Sequence, residues 1–276
     1  MPRNIWSLTG LCCLLTHAPQ ARDTSSLVVI ADFDRTLTAF RGKNGEPCDE
    51  CHDIVFDRCS PSSTWAAEVQ AFWALTRKNG GGGLAEKSEQ EQLAWTRWWW
   101  TSANEMMLKH KLTRQLVVEA VKKANTLPRP GAIELLETCV RDGVPVVIVS
   151  AGLNCVIEEF LRVHDKSGNL LQSPLLSIHA NQMNFDADGN LVGFGQNLIT
   201  TRNKRDSMLL AKDFFDELFI SRCLPGPWFS VLHRSSLLFL SAHGRESGTD
   251  RMARTRARTH TLIHTSESTC YCSATT

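Results

Sequence analysis

The sequence predicts an α/β fold, a parallel sheet flanked by helices, with a helical segment inserted after the first strand. Three observations predict it. Residues 27–31, Leu-Val-Val-Ile-Ala, form a short apolar, β-branched run of the kind buried on both faces of a parallel sheet. A similar run at 144–149 closes in Ser150-Ala151-Gly152 and leads into a helical pattern over 154–163. Between the two runs lie three helical patterns and no strand signal. A chain of 276 residues suits one large domain, or a core with an insert.

Composition narrows the class. Hydrophobic residues at 42% against 21% charged point to a soluble globular chain, and a net charge of +1 argues against a dedicated nucleic-acid surface. The ten cysteines do not form the pattern of a small secreted disulfide scaffold, so a reducing compartment is expected. Residues 1–26 read as a leader. Its stretch 5–15, apolar after Arg3 and followed by Ala18-Pro19-Gln20-Ala21, leaves a secretory signal and a docked or disordered leader both open. It is too short for a membrane span.

In chain order, 42–47 is a turn-rich break after the first strand. Cys48-Asp49-Glu50-Cys51-His52, with Cys59 beyond, supplies one half of a zinc site where two are needed, so it reads as a loop with buried thiols. Ser62 and Ser63 can cap a helix from Thr64, with Trp65, Val69, Phe72 and Trp73 at helical spacing. Four consecutive glycines, 80–83, make a flexible link rather than a phosphate loop, since no Gly-Lys-Ser/Thr follows. Ser88 and Glu91 form a capping-box pattern for a helix expected to reach Lys111. That helix contains Trp98, Trp99 and Trp100, which cannot all face one side, so one is expected at a cleft. A third helix fits 113–125, and Pro128 and Pro130 end the insert.

Residues 131–142 form an amphipathic pattern stopped by Gly143. The second strand, the turn Ser150-Ala151-Gly152 and the next helix make a natural anion site at that helix's N-terminus. Residues 175–194 alternate around the hairpin signal Asp188-Gly189. Asn203-Lys204 precedes a helical run at 207–218, where the lysine could neutralise phosphate. Residues 236–241 suit a last strand, and the Arg- and Ser/Thr-rich stretch 254–276 reads as a disordered tail.

The chemistry concentrates where the first strand ends, in Asp32-Phe33-Asp34-Arg35-Thr36-Leu37-Thr38. Ligands of an open α/β sheet sit beyond the carboxyl ends of its strands. Two carboxylates there repel each other. A hard cation such as Mg²⁺ can neutralise them, and the pair suits phosphoryl transfer, one acid attacking phosphorus and the other handling the leaving-group proton.

This stretch resembles motif I of the haloacid dehalogenase-like phosphatases, and Asp32/Asp34, Ser150 and Lys204 follow the order of that superfamily's motifs I, II and III. Within it the chain resembles the pyrimidine 5'-nucleotidase family. The likeness rests also on Cys48-Asp49-Glu50-Cys51-His52, Trp99-Trp100-Thr101, Val149-Ser150-Ala151-Gly152 and Asn181-Gln182-Met183-Asn184-Phe185-Asp186 with Gly189 to Phe194. The resemblance implies a Rossmann-like core at 27–41 and 127–253, and a helical cap at 42–126. It implies a Mg²⁺-dependent 5'-nucleotidase that hydrolyses nucleoside 5'-monophosphates, pyrimidine preferred, through an aspartyl-phosphate. Asp32 would be the nucleophile and a Mg²⁺ ligand, and Asp34 the acid/base and a second ligand through its backbone carbonyl. Ser150, Ala151 and Lys204 would bind substrate phosphate. A cytoplasmic monomer without nucleic-acid or membrane partners is expected.

The sequence departs from the family twice. Where the family has Gly-Asp-Ser-x-Gly-Asp-x-x-Met-Ala, this chain has Gly244-Arg245-Glu246-Ser247-Gly248-Thr249-Asp250-Arg251-Met252-Ala253, with Arg245 and Thr249 in place of acids. Ala103 stands where the cap has a substrate-contacting serine. The alternatives are a phosphatase for another small phosphomonoester, such as phosphoserine, and a binding protein with impaired catalysis. Restoring both acids, Arg245→Asp with Thr249→Asp, is expected to raise Mg²⁺ affinity and turnover together. A Mg²⁺ titration of nucleotide hydrolysis by both versions checks this, and identical curves would show that the segment is not a degraded metal motif.

Overall fold

In the computed structural model, which describes residues 27–80, 87–204 and the strand backbones at 236–240, 242–243, 258–265 and 268–273, β1 (Leu27–Ala31) lies inside a four-stranded sheet. One neighbour is β2 (Val146–Leu153), in parallel register with Val29 opposite Val146 and Ala31 opposite Ile148. The other is β6 (Ser236–Leu240), also parallel. β3 (Leu176–Asn181) pairs with the far side of β2, giving the order β3-β2-β1-β6. Val28, Val29, Ile30 and Ala31 are all buried, as the apolar run requires. Strand order reverses at β1, so a crevice opens beyond its carboxyl end.

Four helices precede β2's own helix: α1 (Cys51–Arg58), α2 (Trp65–Gly80), α3 (Glu89–Lys109) and α4 (Arg114–Lys123). The sequence reading had a loop where α1 stands. Its start is a capping box built from acids, Glu50 with Asp53, in which Glu50 N–H donates to Asp53 Oδ2 at 2.9 Å. A helix of eight residues carries too little periodicity to announce itself. The Ser88–Glu91 box of α3 forms as expected, with Ser88 N–H donating to Glu91 Oε2 at 2.9 Å. The helix stops at Lys109, short of the expected Lys111, which takes a left-handed φ of 51°. Thr113 caps α4 through Leu116 N–H, at 3.3 Å. Ser62 does not serve as a side-chain cap, because its hydroxyl lies 2.6 Å from His110 Nδ1.

The insert's interior is aromatic. Phe56 meets Phe72 edge-on with ring centres 5.4 Å apart, and Trp99 meets Trp100 at 4.5 Å. Trp99 is buried in this cluster, while Trp100 sends its indole N–H out to Ala151 O at 3.1 Å. The three adjacent tryptophans thus divide as helix geometry demands.

α5 (Ala132–Arg141) leads into β2, with Gly143 at φ 76° terminating it. β2 continues through Ser150-Ala151-Gly152 to Leu153 with an irregular register after Val149, and α6 (Asn154–His164) starts at once. The expected small polar turn is therefore the bulged end of the strand itself. β4 (Met183–Phe185) and β5 (Leu191–Phe194) form the predicted hairpin, with Gly189 at φ 81° and Asp186 Oδ1 accepting from Asn190 N–H at 2.8 Å.

A short β7 (Ala242–His243) pairs with β8 (Arg258–Thr265), which pairs with β9 (Ser268–Ser273). β8 and β9 fall within the stretch read as a tail, and Thr259, Thr261, Ile263 and Thr265 are β-branched, which favours strands. Cys48, Cys51, Cys59, Cys139 and Cys155 are buried free thiols. The leader, residues 81–86 with the last three glycines of the link, the 207–218 helix and the 244–253 segment lie outside the described residues. No helix among the described residues is long and apolar enough to cross a membrane.

His52 is buried against Trp99, ring centres 4.8 Å apart, and its Nε2 is an unsatisfied polar atom. Burial lowers its pKa from 6.5 to about 4. The unfolded chain therefore binds the extra proton between those values, and stability falls as pH drops through that window. The linkage amounts to roughly 3 kcal/mol at most. Urea unfolding at pH 7 and pH 4.5 is expected to show that loss, and His52→Leu should flatten it.

Candidate active site

Asp32 follows β1 directly, and its Oδ1 accepts from Phe33 N–H at 2.6 Å. The chain then makes one tight π-type turn over Phe33–Leu37. Arg35 sits at φ 60°, a strained conformation for a residue with a side chain. Its surroundings hold it there. Thr38 Oγ1 accepts from Arg35 N–H at 2.8 Å, Arg129 Nε donates to Thr36 O at 2.8 Å, and Arg129 Nη2 donates to Arg35 O. Phe33 anchors the turn in the core, edge-on to Phe160 at 5.1 Å.

The turn brings the Asp34 carboxylate to the start of α1, where Oδ1 accepts from Cys51 N–H at 3.1 Å. Burial, then the negative charges of Glu50 and Asp32, push the Asp34 carboxyl from 3.8 up to about 7. Such a group can give or take a proton near neutrality. Glu50 is itself paired with Arg35. Burial and the Asp34 charge also drive the Cys51 thiol well above its ordinary range.

Of the residues singled out in the sequence, Lys204 comes 172 positions along the chain to contact Asp32 Oδ1 with its ammonium group. Ser150 and Ala151 sit at the end of the adjacent strand, just past the Ala31–Ile148 pair. Ser150 Oγ accepts from Gly152 N–H at 3.0 Å, which leaves the hydroxyl proton to donate elsewhere. Ala151 O accepts from Trp100 Nε1 at 3.1 Å and Asn181 Nδ2 at 2.8 Å.

Sequence reasoning gave no individual role to Asn181 or Arg129, and it placed Trp100 and Gly152 only within a tryptophan trio and a turn. Only the unusual Asn-x-Met-x-Phe-Asp string hinted at the first. The hydrogen-bond partners of Asn181, Trp100 and Arg129 are remote in sequence, whereas Gly152 N–H is held by Ser150 two residues away.

Asp32 and Asp34 offer the hard oxygen donors that Mg²⁺ takes. The donor chemistry fits that ion. Among the described residues no group of three metal-ligating side chains gathers.

A model of the pyrimidine 5'-nucleotidase (UMPH-1) family matches residues 35–253. The chain belongs to the pyrimidine 5'-nucleotidase family. Among this family member's curated relatives, the 7-methylguanosine phosphate-specific 5'-nucleotidase A of Xenopus laevis is 28% identical over 214 residues, 78% of this chain and 67% of the relative. The Homo sapiens 7-methylguanosine phosphate-specific 5'-nucleotidase is 29% identical, over 70% of this chain and 61% of its own length. The crystal structure of cytosolic 5'-nucleotidase IIIB bound to cytidine aligns with a TM-score of 0.51 at 23% identity, covering 64% of this chain and 56% of that one. That likeness shows the fold: the parallel core with a helical insert is the haloacid dehalogenase-like architecture expected from the sequence.

In this pyrimidine 5'-nucleotidase family chain, α1 packs tightly on β2 at Gly152. A Cβ there would lie 2.5 Å from Cys51 Sγ and 2.8 Å from Cys51 Cβ. Gly152→Ala is therefore expected to destabilise by about 1–3 kcal/mol and to disturb the Cys51–Asp34 hydrogen bond. Urea denaturation of the variant checks the first. Adding Cys51→Gly should recover part of the loss, since both clashing atoms belong to Cys51.

Proposed function

We propose that the chain is a 5'-nucleotidase that hydrolyses nucleoside 5'-monophosphates through an aspartyl-phosphate on Asp32. The observation that carries this reading is the juxtaposition at the end of β1: a carboxylate touching a lysine, two residues from a second acid with a pKa near 7. The Asp32 oxygen attacks phosphorus in line, and the bond from phosphorus to the 5'-oxygen breaks. Asp34 protonates that leaving oxygen. It then takes a proton from the water that hydrolyses the aspartyl-phosphate, so its pKa suits both directions. Ser150 O–H, Ala151 N–H and the Lys204 ammonium bind phosphoryl oxygens. Mg²⁺, held by the Asp32 carboxylate and the Asp34 carbonyl, would offset phosphoryl charge. In this reading residues 42–126 are the cap and the rest of 27–253 is the core.

A cavity of about 280 Å³ supports a nucleoside-sized substrate. One wall is a single face of α3, namely Thr101, Asn104, Glu105 and Leu108, and the other includes Asn181, Gln182 and Phe194. Asn104, on the α3 wall, has a buried Oδ1 with no hydrogen-bond partner. The family points to a pyrimidine, whereas the Xenopus and human relatives are named for 7-methylguanosine phosphate. A second reading, another small phosphomonoester, draws on Ala103, which is buried and offers no hydroxyl where the family's serine would stand.

Asp32→Asn is expected to abolish phosphate release while the unfolding midpoint is retained, and wild-type turnover by this variant would overturn the assignment. A panel of pyrimidine, 7-methylguanosine and purine monophosphates with phosphoserine should favour a nucleotide. A preference of more than about tenfold for phosphoserine, worth roughly 1.4 kcal/mol, would favour the second reading.

A further inference from the structure

We infer that Asn181 is a positioning residue for phosphate binding, one that sets the distance between the Ala151 end of β2 and the Lys204 arm. The inference rests on the nucleotidase reading of the site. Asn181 ends β3 and is only 3% exposed. A buried primary amide needs partners for two N–H groups and an oxygen, and this one has them all. Its Nδ2 donates to Ala151 O at 2.8 Å and to Ile199 O at 2.8 Å, and its Oδ1 accepts from Ile199 N–H at 2.8 Å. A flipped amide would set its oxygen against two carbonyl oxygens, so the network fixes the orientation.

The pairing with Ile199 uses both peptide groups of one residue, so the side chain mimics a strand partner and pins the segment at that point. From there the chain reaches Lys204 in five residues, and that stretch is closed on itself. Asn203 Oδ1 accepts from Thr200 N–H at 2.6 Å, and Asn203 Nδ2 donates to Leu198 O at 2.8 Å. The loop is therefore a rigid bracket with Asn181 at its base and the Lys204 ammonium on Asp32 at its tip. The same Asn181 amide grips Ala151, the residue after Ser150. One side chain thus ties together two phosphate-binding elements that are 53 residues apart in the sequence. Trp100 also donates to Ala151 O, and among the described residues its indole N–H bonds to no residue of the bracket, so it serves as an internal contrast.

The test measures affinity for inorganic phosphate by calorimetry in wild type, Asn181→Asp, Asn181→Ala, Trp100→Phe and Lys204→Ala, and in each of the first three variants combined with Lys204→Ala. Asn181→Asp keeps the acceptor for Ile199 N–H and loses both donors, so it remains informative if Asn181→Ala does not fold. Both Asn181 variants are expected to weaken phosphate binding about tenfold alone and less than about threefold once Lys204 is gone, because the bracket then has nothing to position. Trp100→Phe should cost the same factor in both backgrounds. Equal losses for Asn181 variants in both backgrounds, or unchanged phosphate affinity, would overturn the inference while leaving the site reading intact. Failure of wild type to bind phosphate, or indifference of its affinity to Lys204→Ala, would overturn both.

Discussion

Repulsion between two carboxylates at the end of one buried strand is the constraint that organises this molecule. Asp32 and Asp34 are two residues apart, and the Phe33–Leu37 turn prevents them from simply splaying into solvent. Their surroundings supply what the strand cannot. Lys204 comes to Asp32 from 172 positions along the chain, and the first peptide N–H of α1 comes to Asp34. Arg35 answers Glu50, the further acid that bears on Asp34. The balance is deliberately incomplete in the physical sense that Asp34 still sits near neutrality, so removing its proton remains costly. A site with full charge compensation would have a lower pKa there and less ability to shuttle a proton.

The second theme is that polar atoms at the sheet's carboxyl end are held by side chains rather than by the ladder. β2 loses regular register after Val149, which leaves the peptide groups of Ser150, Ala151 and Gly152 without a continuous strand partner. Trp100, Asn181 and Ser150 itself take up those groups. Buried backbone groups must be paired, so the loss of regular pairing on one side imposes specific residue types on the other. Gly152 pays the steric counterpart: α1 approaches so closely that only hydrogen fits. The Trp100 bond also joins the helical insert to the core at the point where phosphate would bind.

Much of the fold was legible in the sequence. β1, its two following acids, the amphipathic α5, the helix after Gly152 and the Asp188-Gly189 hairpin all announce themselves through period, glycine punctuation and β-branched runs. Where reading and structure part, short-range patterns were too weak. α1 is eight residues long with acidic caps, and the strand at Ser150 continues because a bulge accommodates small polar residues. The strands at 258–265 and 268–273 hide among arginines and threonines that composition alone assigns to a tail.

By itself, the sequence determined the α/β class, the order of strands and insert along the chain, the family, and the candidates Asp32, Asp34, Ser150, Ala151 and Lys204. Each of these rests on local spacing or on motif order, which a linear string preserves. Only the tertiary structure decided that Lys204 meets Asp32, that Asp34 is held near neutrality, that Trp100 rather than Trp99 faces Ala151, and that Asn181 binds two distant segments. Those properties depend on burial and on partners dozens of residues away. Neither the dielectric around a carboxylate nor the identity of a distant hydrogen-bond acceptor is written in the residues beside it.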